Sequence, residues 1–321
     1  MPDASTQTPA ARKKIVKVAP PPPVAEAQTE EGLQPTRRPL SDASKKKYDQ
    51  AITRLKTAGY NIEEQPKEVI EWVRKQGGNS AQIVYYSAIK YELNKLQKPF
   101  PVPREYQDEI DRLAGKQKEA QKSQVLSEKQ QTNFVPFADL LAVQERLAAK
   151  EDKSDGDQKD LLIASLYTLQ PPVRADYGEV KVFARRSSKR TGNELIYGQK
   201  KGAYFVFREY KTAKTYGDME VRVAPALLSV ITGWFEHLGK TPKHLLGRPV
   251  TPNDLLGLIN HAFRSTKKDI GVNLLRHAYI TNFMKTPRTI KEREELAMKM
   301  LHDKDTQEKY AVASELKSDD A

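Results

Sequence analysis

The sequence predicts a mainly α-helical protein with a small antiparallel β-sheet, organised as two folded regions. Apolar residues recur at helical spacing in residues 41–114 and through most of residues 133–321. A polar stretch rich in Gln and Lys, at 115–132, separates these regions and is interpreted as a linker that could itself be helical. Runs of β-branched and aromatic residues are confined to residues 180–223, so one small sheet is expected.

The first 40 residues are predicted to be a disordered, basic, proline-rich arm. They hold eight of the chain's twenty prolines and few large apolar residues. Such a segment cannot bury enough surface to offset the entropy lost on ordering. Its basic clusters, Arg12-Lys13-Lys14 and Arg37-Arg38, could contact DNA or form a nuclear address, and a merely solvated tail is the alternative.

Residues 41–114 are predicted to form four short helices in a small bundle. In the first helix, Tyr48, Ile52 and Leu55 fall at positions i, i+4 and i+7. Helix starts and ends are indicated by glycine, proline or a polar capping residue, at Gly59, Pro66, Gly77, Gly78, Asn79 and Pro103.

Basic side chains of this bundle are predicted to contact the DNA backbone. The candidates are Lys45, Lys46, Lys47 and Lys90, together with Lys214 of the second region. Tyr85, Tyr86 and Tyr91 are interleaved with the bundle's basic residues. This pattern suits contact with a DNA backbone, but a place in the core is the favoured interpretation for at least one of the tyrosines.

The second region is predicted to be helical on both sides of the strand-like runs. The expected helices are 137–147, 161–167, 225–238, 251–266, 272–284, 289–301 and a last short helix that holds Tyr310. The expected strands are 180–183, 194–197, 203–207 and 221–223. The last two flank a polar, Gly-containing stretch at 211–217, which predicts a hairpin with Lys211 near its turn.

Composition favours an acidic partner and disfavours several classes of site. The chain of 321 residues has a formal net charge of +12 and a pI of about 9.5, and nucleic acid is the commonest acidic partner. There is no Cys, and the five His residues show no metal-ligand spacing. No phosphate-binding glycine motif, membrane-length apolar run or signal-peptide core occurs. We therefore expect no metal, cofactor or membrane partner. We expect an intracellular location.

Six residues of types that suit chemistry on a phosphodiester lie near the ends of predicted elements: Arg174, Lys211, Arg276, His277, His302 and Tyr310. Arg binds phosphate oxygens, His donates to them and Tyr can attack phosphorus. Each also has an ordinary interpretation. An Arg after a helix commonly faces the helix dipole, and a hairpin Lys is commonly a solvated edge residue.

The order of these residues resembles the tyrosine recombinase, or phage-type integrase, family. The series helix–Arg174, hairpin–Lys211, helix with Leu275-Arg276-His277, then Leu301-His302 and Tyr310, spans about residues 41–313. The resemblance implies an N-terminal helical core-binding (SAM-like) domain at 41–114 and a catalytic domain at 133–321. The sequence pattern is more similar to the viral or mobile-element branch of the family than to the bacterial one. This similarity implies that the protein acts on DNA in a host nucleus or a viral factory.

The resemblance also implies a mechanism without metal or cofactor. Tyr310 would attack the scissile phosphate of double-stranded DNA and form a 3′-phosphotyrosyl bond. Arg174 and Arg276 would clamp the phosphate, His302 would donate to it, and Lys211 would act as general acid. A homotetramer on DNA is the implied assembly. The target sequence, and whether the reaction is integration, excision or resolution, are not given by the residues.

Two positions depart from the family pattern. Asn273 stands where the family commonly has His or Lys, and an amide cannot act as acid or base near neutral pH. His277 could take part of that role or pack against Arg276. The interval from His302 to Tyr310 would place the two residues on different faces of one ideal helix. A break at 303–305, with Asp305 as a new N-cap, is therefore expected.

Two other functions remain open on the sequence. A type IB topoisomerase-like enzyme would use the same chemistry to relax supercoiled DNA without pairing two sites. A DNA-binding protein with a decayed site would bind DNA without a covalent product, and Asn273 is the residue that favours it.

Overall fold

The computed structural model describes residues 40, 42–95, 103–122, 124–198, 202–302, 307 and 309–316. The predicted arm therefore lies outside the described residues, except for Leu40. The helices are α1 (Asp42–Thr57), α2 (Pro66–Arg74), α3 (Asn79–Lys95), α4 (Arg104–Lys122), α5 (Glu128–Asn133), α6 (Phe137–Ala149), α7 (Asp155–Thr168), α8 (Ala213–Tyr216), α9 (Pro225–His237), α10 (Pro252–Ala262), α11 (Val272–Met284), α12 (Ile290–Lys299) and α13 (Ala313–Leu316). The strands are β1 (Lys181–Phe183), β2 (Glu194–Ile196), β3 (Tyr204–Phe207) and β4 (Met219–Arg222).

Helices α1 to α4 share one hydrophobic core. Its members include Leu55, Val69 and Ile89, each fully buried. Tyr86 is also fully buried, and Tyr85 is nearly so, which places both in the core. Tyr91 instead packs against Tyr48, with a ring-centroid distance of 5.7 Å and the rings tilted by 56°. Core packing therefore accounts for two of the three tyrosines that the sequence left open.

The predicted linker is helical over much of its length. Helix α4 continues to Lys122, and α5 begins after Ser127. The Ser127 side chain accepts from the Gln130 N–H while the Gln130 side chain accepts from the Ser127 N–H, a capping box that starts α5. The polar composition of this stretch does not prevent helix formation, because a helix that faces water on most sides can be polar all round.

The second hydrophobic core is built around α7. Residues 160–168 of this helix are all buried, because α6, α9 and α10 pack around it. Capping boxes at Ser154 and Thr289 start α7 and α12, and Pro225 occupies the first turn of α9. Across the described ranges, no helix is both long enough and apolar enough to cross a membrane.

The sheet is mixed, which corrects the expectation of a purely antiparallel sheet. Its order is β1-β2-β3-β4, and β1 pairs with β2 in parallel, with Lys181 opposite Glu194. A loop, 184–193, makes the crossover that parallel pairing needs. The Arg190 guanidinium lies 3.7 Å from the centre of the Phe183 ring, and its Nε donates to Glu194 Oε1 at 2.6 Å. These contacts hold the crossover loop against the two strands that it connects.

The predicted hairpin is present, with a helical turn at its tip. β3 and β4 pair antiparallel, with Tyr204 opposite Arg222 and Phe207 opposite Met219. The single-turn helix α8 occupies part of the stretch expected to be a polar turn. The Tyr210 hydroxyl donates to the Gly217 carbonyl at 2.7 Å and closes this turn.

Candidate active site

Arg276 joins two segments that are far apart in sequence. Its side chain, on α11, is fully buried at 0% exposure. Nη1 donates to the carbonyls of Pro172, at 2.7 Å, and Met300, at 3.2 Å. One guanidinium thus fixes the loop after α7 against the end of α12. Burial of the charge lowers the pKa of Arg276, although an Arg side chain stays protonated in proteins.

The end of α12 delivers His302 to Arg276. Leu301 has a left-handed conformation, with φ of 58°. The N–H of His302 donates to the Ala297 carbonyl at 3.1 Å, and that of Leu301 to the Met298 carbonyl at 3.0 Å. This pair of bonds is a Schellman motif, usually formed with Gly. A left-handed conformation costs a residue with a β-carbon about 1–2 kcal/mol, so the surrounding structure holds Leu301 in place.

The contact between Arg276 and His302 fixes the tautomer of the imidazole. Nη2 of Arg276 lies 3.3 Å from Nδ1 of His302, which is 5% exposed. Because a guanidinium only donates, Nδ1 is the acceptor, and the proton of the neutral ring is on Nε2. Nε2 is therefore the nitrogen able to donate to a phosphate oxygen.

Tyr310 lies against three of the predicted site residues. Its ring centroid is 5.7 Å from that of His302, 4.8 Å from that of His277 and 5.0 Å from Cζ of Arg276. The structure therefore brings Tyr310 and His302 together, as the sequence required. Helix α12 ends at Lys299, close to the predicted end at 301, and the expected break at 303–305 lies outside the described residues. The expected N-cap at Asp305 lies outside the described residues.

Tyr310 is in a turn and not in the short helix that the sequence predicted. Its carbonyl accepts from Nδ1 of His277 at 2.7 Å, and the N–H of Val312 donates to Oγ1 of Thr281 at 3.0 Å. Side chains of α11 thus replace the helical hydrogen bonds. Burial is the main cause that lowers the pKa of His277, so the ring is neutral at pH 7 and donates from Nδ1.

The hydroxyl of Tyr310 is in a strongly cationic environment. Burial, the largest influence, raises the pKa of Tyr310, but the positive charges of Arg276 and Arg174 outweigh it. The pKa of Tyr310 is therefore below that of an ordinary tyrosine. Two guanidinium groups near a phenol stabilise the phenolate, which is the nucleophilic form.

Arg174 is held by its backbone on both sides. Its N–H donates to Asp176 Oδ2 at 3.1 Å, and its carbonyl accepts from the buried Tyr167 hydroxyl at 3.1 Å. Burial raises the pKa of the Asp176 carboxyl, opposed in part by the Arg174 N–H and the Arg276 charge. Sequence reasoning missed Asp176. An acid two residues after a candidate Arg was the available signal, and its burial was not readable.

Lys211 lies near this group but does not bond to it. Its side chain is exposed and, among the described residues, forms no hydrogen bond or ion pair. Oγ1 of the next residue, Thr212, donates to the Leu301 carbonyl at 3.1 Å. The hairpin that carries Lys211 is therefore hydrogen-bonded to Leu301, the residue that precedes His302.

Asn273 lies on the wall of a cleft that opens beside Tyr310. The cleft has a volume of about 830 Å³ and is lined by residues of both helical regions. Asn79 and Ser80 of α3 line it on one side, and His277 and Tyr310 line it on the other. Asn273 is exposed there, so it can donate to a ligand in the cleft but cannot titrate.

The predicted DNA-binding lysines are at or near the surface. Lys45, Lys46 and Lys47 are exposed on α1, and Lys214 is exposed on α8. Lys90 is half-buried, and its Nζ donates to Gln107 Oε1 at 3.1 Å. Among the described residues, no cluster of His, Cys, Asp and Glu is arranged to hold a metal ion.

Comparison with known proteins shows a distant structural similarity. No protein-family model and no curated protein matches the chain. Among solved structures, a similar one is the crystal structure of XerA recombinase. The match covers 87% of this chain and 91% of that chain, with 13% sequence identity and a TM-score of 0.39. At these values, the chemistry of the site has to be inferred from the residues themselves.

Proposed function

We propose that the protein cleaves and rejoins double-stranded DNA through a 3′-phosphotyrosyl intermediate, as a site-specific recombinase or integrase. The observation that carries this proposal is the contact of the Tyr310 ring with Arg276 and His302, which are themselves 3.3 Å apart, together with the lowering of the Tyr310 pKa by the charges of Arg276 and Arg174. Nucleophile and charge clamp are thus adjacent. The net charge of +12 favours a polyanionic substrate.

The proposed reaction balances without a cofactor. The Tyr310 phenol loses its proton to solvent, and the phenolate oxygen bonds to phosphorus. The bond between phosphorus and the 5′ oxygen breaks, and that oxygen takes its proton from Nζ of Lys211. Arg174, Arg276 and Nε2–H of His302 stabilise the charge that develops on the non-bridging oxygens. Rejoining is the reverse, with a 5′ hydroxyl as the nucleophile.

The proposed binding mode places duplex DNA along the cleft between the helical bundle, 41–114, and the catalytic region, 133–321. Lys45, Lys46, Lys47, Lys90 and Lys214 would contact phosphates. Two separate hydrophobic cores support a division into two domains. Pairing of two DNA sites would require several copies of the chain, and four copies are proposed.

A nicked suicide DNA substrate tests the proposal. Cleavage near the nick releases a short fragment, so the 3′-phosphotyrosyl complex accumulates and runs as a shifted band on a denaturing gel. We expect the band with a substrate that contains the native target site, and its absence in all DNA tested would contradict the proposal. Relaxation of supercoiled DNA without site pairing would identify a topoisomerase instead. Salt-sensitive DNA binding without the band would identify a binding protein.

The rate of cleavage should depend on the ionisation of Tyr310. Because the phenolate is the reactive form and its pKa is lowered, the rate should rise with pH and level off below about pH 10, the pKa of free tyrosine. Arg174→Ala removes one of the interactions that lower this pKa, so its inflection should move to higher pH. Single-turnover rates between pH 6 and 10 measure both curves.

Arg146→Ala is the matched control for this pH profile. Arg146 donates to Ser265 Oγ at 2.7 Å, away from the residues around Tyr310. Arg146→Ala changes the net charge by the same amount as Arg174→Ala. We expect the inflection of the rate–pH curve to stay at the pH of the unmodified protein. Equal inflections for Arg174→Ala and the unmodified protein would contradict the proposed coupling.

His277 should matter as a donor to the Tyr310 carbonyl. His277→Asn keeps an N–H close to the position of Nδ1, whereas His277→Ala removes the donor. We expect about 10-fold or slower cleavage for the Ala variant and a rate within about 3-fold for the Asn variant, since misplacement by about 1 Å costs up to about 10²-fold. Equal loss in the two variants would show that the imidazole acts in proton transfer.

A further inference from the structure

A buried amide, Asn193, connects two segments of the candidate active site. Its side chain makes four hydrogen bonds to backbone groups and is 7% exposed. Oδ1 accepts from the N–H groups of Arg208, at 2.9 Å, and Glu209, at 3.0 Å. Nδ2 donates to the carbonyls of Asp176, at 3.3 Å, and Glu209, at 2.9 Å. Two donors and two acceptors are the full capacity of an Asn amide.

The two connected segments are the ones that carry Arg174 and Lys211. Asp176 lies two residues after Arg174 and accepts its N–H at 3.1 Å. Glu209 lies two residues before Lys211 on the hairpin. Asn193 therefore sets the distance between the backbone of the turn after α7 and the backbone of the hairpin.

The hairpin is also attached on the other side of Lys211. Oγ1 of Thr212 donates to the Leu301 carbonyl at 3.1 Å. Lys211 thus lies between two attachment points, at Glu209 and Thr212, while its own side chain is exposed. This arrangement fixes the backbone of the lysine and leaves its four-carbon side chain able to reach a ligand.

We propose that Asn193 is a positioning residue for the general acid. It holds the hairpin so that Nζ of Lys211 reaches the 5′ oxygen of the phosphate that Arg174 binds. The proposal rests on the proposed cleavage reaction. In that reaction the P–O5′ bond breaks, its electron pair goes to the 5′ oxygen, and Lys211 supplies the proton. Asn193 itself does not contact the reacting atoms.

A change of leaving group separates positioning of the acid from a general loss of structure. If sulfur replaces the bridging 5′ oxygen, the product is a thiolate, whose conjugate acid has a pKa of about 8.5. Such a group leaves without being protonated. A defect in the general acid therefore disappears with the sulfur substrate, whereas a defect in folding or phosphate binding remains.

Asn193→Asp keeps the shape of the side chain and replaces both donors with acceptors that face two carbonyls. We expect single-turnover cleavage of the all-oxygen DNA to fall about 10- to 100-fold, the range expected for misplacement by about 1 Å. Cleavage of the bridging-sulfur DNA should stay within about 3-fold of the unmodified protein. Lys211→Ala should give the same pattern, and Arg174→Ala should be impaired on both substrates.

Asn260→Ala is the matched control. Oδ1 of Asn260 accepts from the Ile270 N–H at 2.7 Å, so this variant also removes an amide that holds a loop. It should cleave both substrates at unmodified rates. If Asn193→Asp does not fold, Asn193→Ser removes the same bonds without adding charge. Equal loss on both substrates would overturn the positioning role. Failure of the unmodified protein to cleave either substrate would instead overturn the proposed function.

Discussion

Replacing Tyr310 with Phe should abolish the covalent complex with DNA while leaving the fold and the DNA affinity nearly unchanged. The ring contacts with His277 and His302 need only the aromatic face, which Phe retains. Loss of one hydroxyl changes the free energy of unfolding by no more than a typical hydrogen bond, about 0.5–1.5 kcal/mol, a small part of the stability of a chain of this size. Loss of a covalent nucleophile should slow cleavage by at least about 10⁴-fold. The measurement is the covalent band from the nicked substrate, with DNA affinity measured at the same salt concentration.

Tyr279→Phe is the matched control for the nucleophile. Tyr279 is on α11, half-buried, and its ring packs edge-on against Phe137 at a centroid distance of 5.2 Å. It loses one hydroxyl, as Tyr310→Phe does, without touching the guanidinium groups of the site. We expect it to form the covalent complex at the unmodified rate. A complex that persists in Tyr310→Phe would identify another nucleophile.

The helices were predictable because their signals are local. Apolar spacing, Pro66 at the start of α2 and the Thr289 capping box all act within a few residues. The direction of β1 relative to β2 was not predictable, because each of these strands is only three residues long. A short strand carries no local record of which neighbour it pairs with or in which direction.

Some residues of the candidate site also had a signal in the sequence, and others had none. Arg276, His302 and Tyr310 were predicted as site residues from their residue types and their order along the chain. Asn193 carried no such signal, because an Asn before a strand is ordinarily a turn residue. Its role arises from backbone groups of Asp176 and Glu209, which only the folded chain brings within reach. The left-handed conformation of Leu301 carried no sequence signal for a related reason, since a Schellman motif usually has Gly at this position.

The hydrogen bonds of Arg276 stabilise the fold, in addition to the role in phosphate binding that we propose for it. A fully buried cation is costly unless it is bonded, and here it satisfies the carbonyls of Pro172 and Met300. Those bonds hold the loop that leads to Arg174 against the helix end that leads to His302. Arg174 itself is only half-buried, so its guanidinium contributes less to the fold. The two arginines should therefore differ in what their removal does.

Arg276→Ala should lose both cleavage and stability, whereas Arg174→Ala should lose mainly cleavage. Leaving two buried carbonyls without a donor costs about 1–3 kcal/mol each, offset in part because no charge is buried. A net loss of about 2 kcal/mol lowers Tm by several degrees in a chain of this size. Removing one charge-stabilising donor should slow cleavage by about 10²–10³-fold in either variant. Thermal unfolding and single-turnover cleavage measure the two effects separately.

Arg264→Ala separates instability from chemistry. Nη1 of Arg264 donates to Asp160 Oδ2 at 2.5 Å and to the His261 carbonyl at 2.7 Å, and Asp160 is 3% exposed. Its removal leaves a buried carboxylate with fewer donors, so Tm should fall as it does for Arg276→Ala, with cleavage retained below the transition. Arg276→Lys should recover part of the stability but little of the rate, because an ammonium lacks the planar fork that bridges two phosphate oxygens. If Arg276→Ala cleaved DNA as fast as Arg264→Ala at equal folded fraction, Arg276 would be structural only, and the clamp would rest on Arg174 and His302.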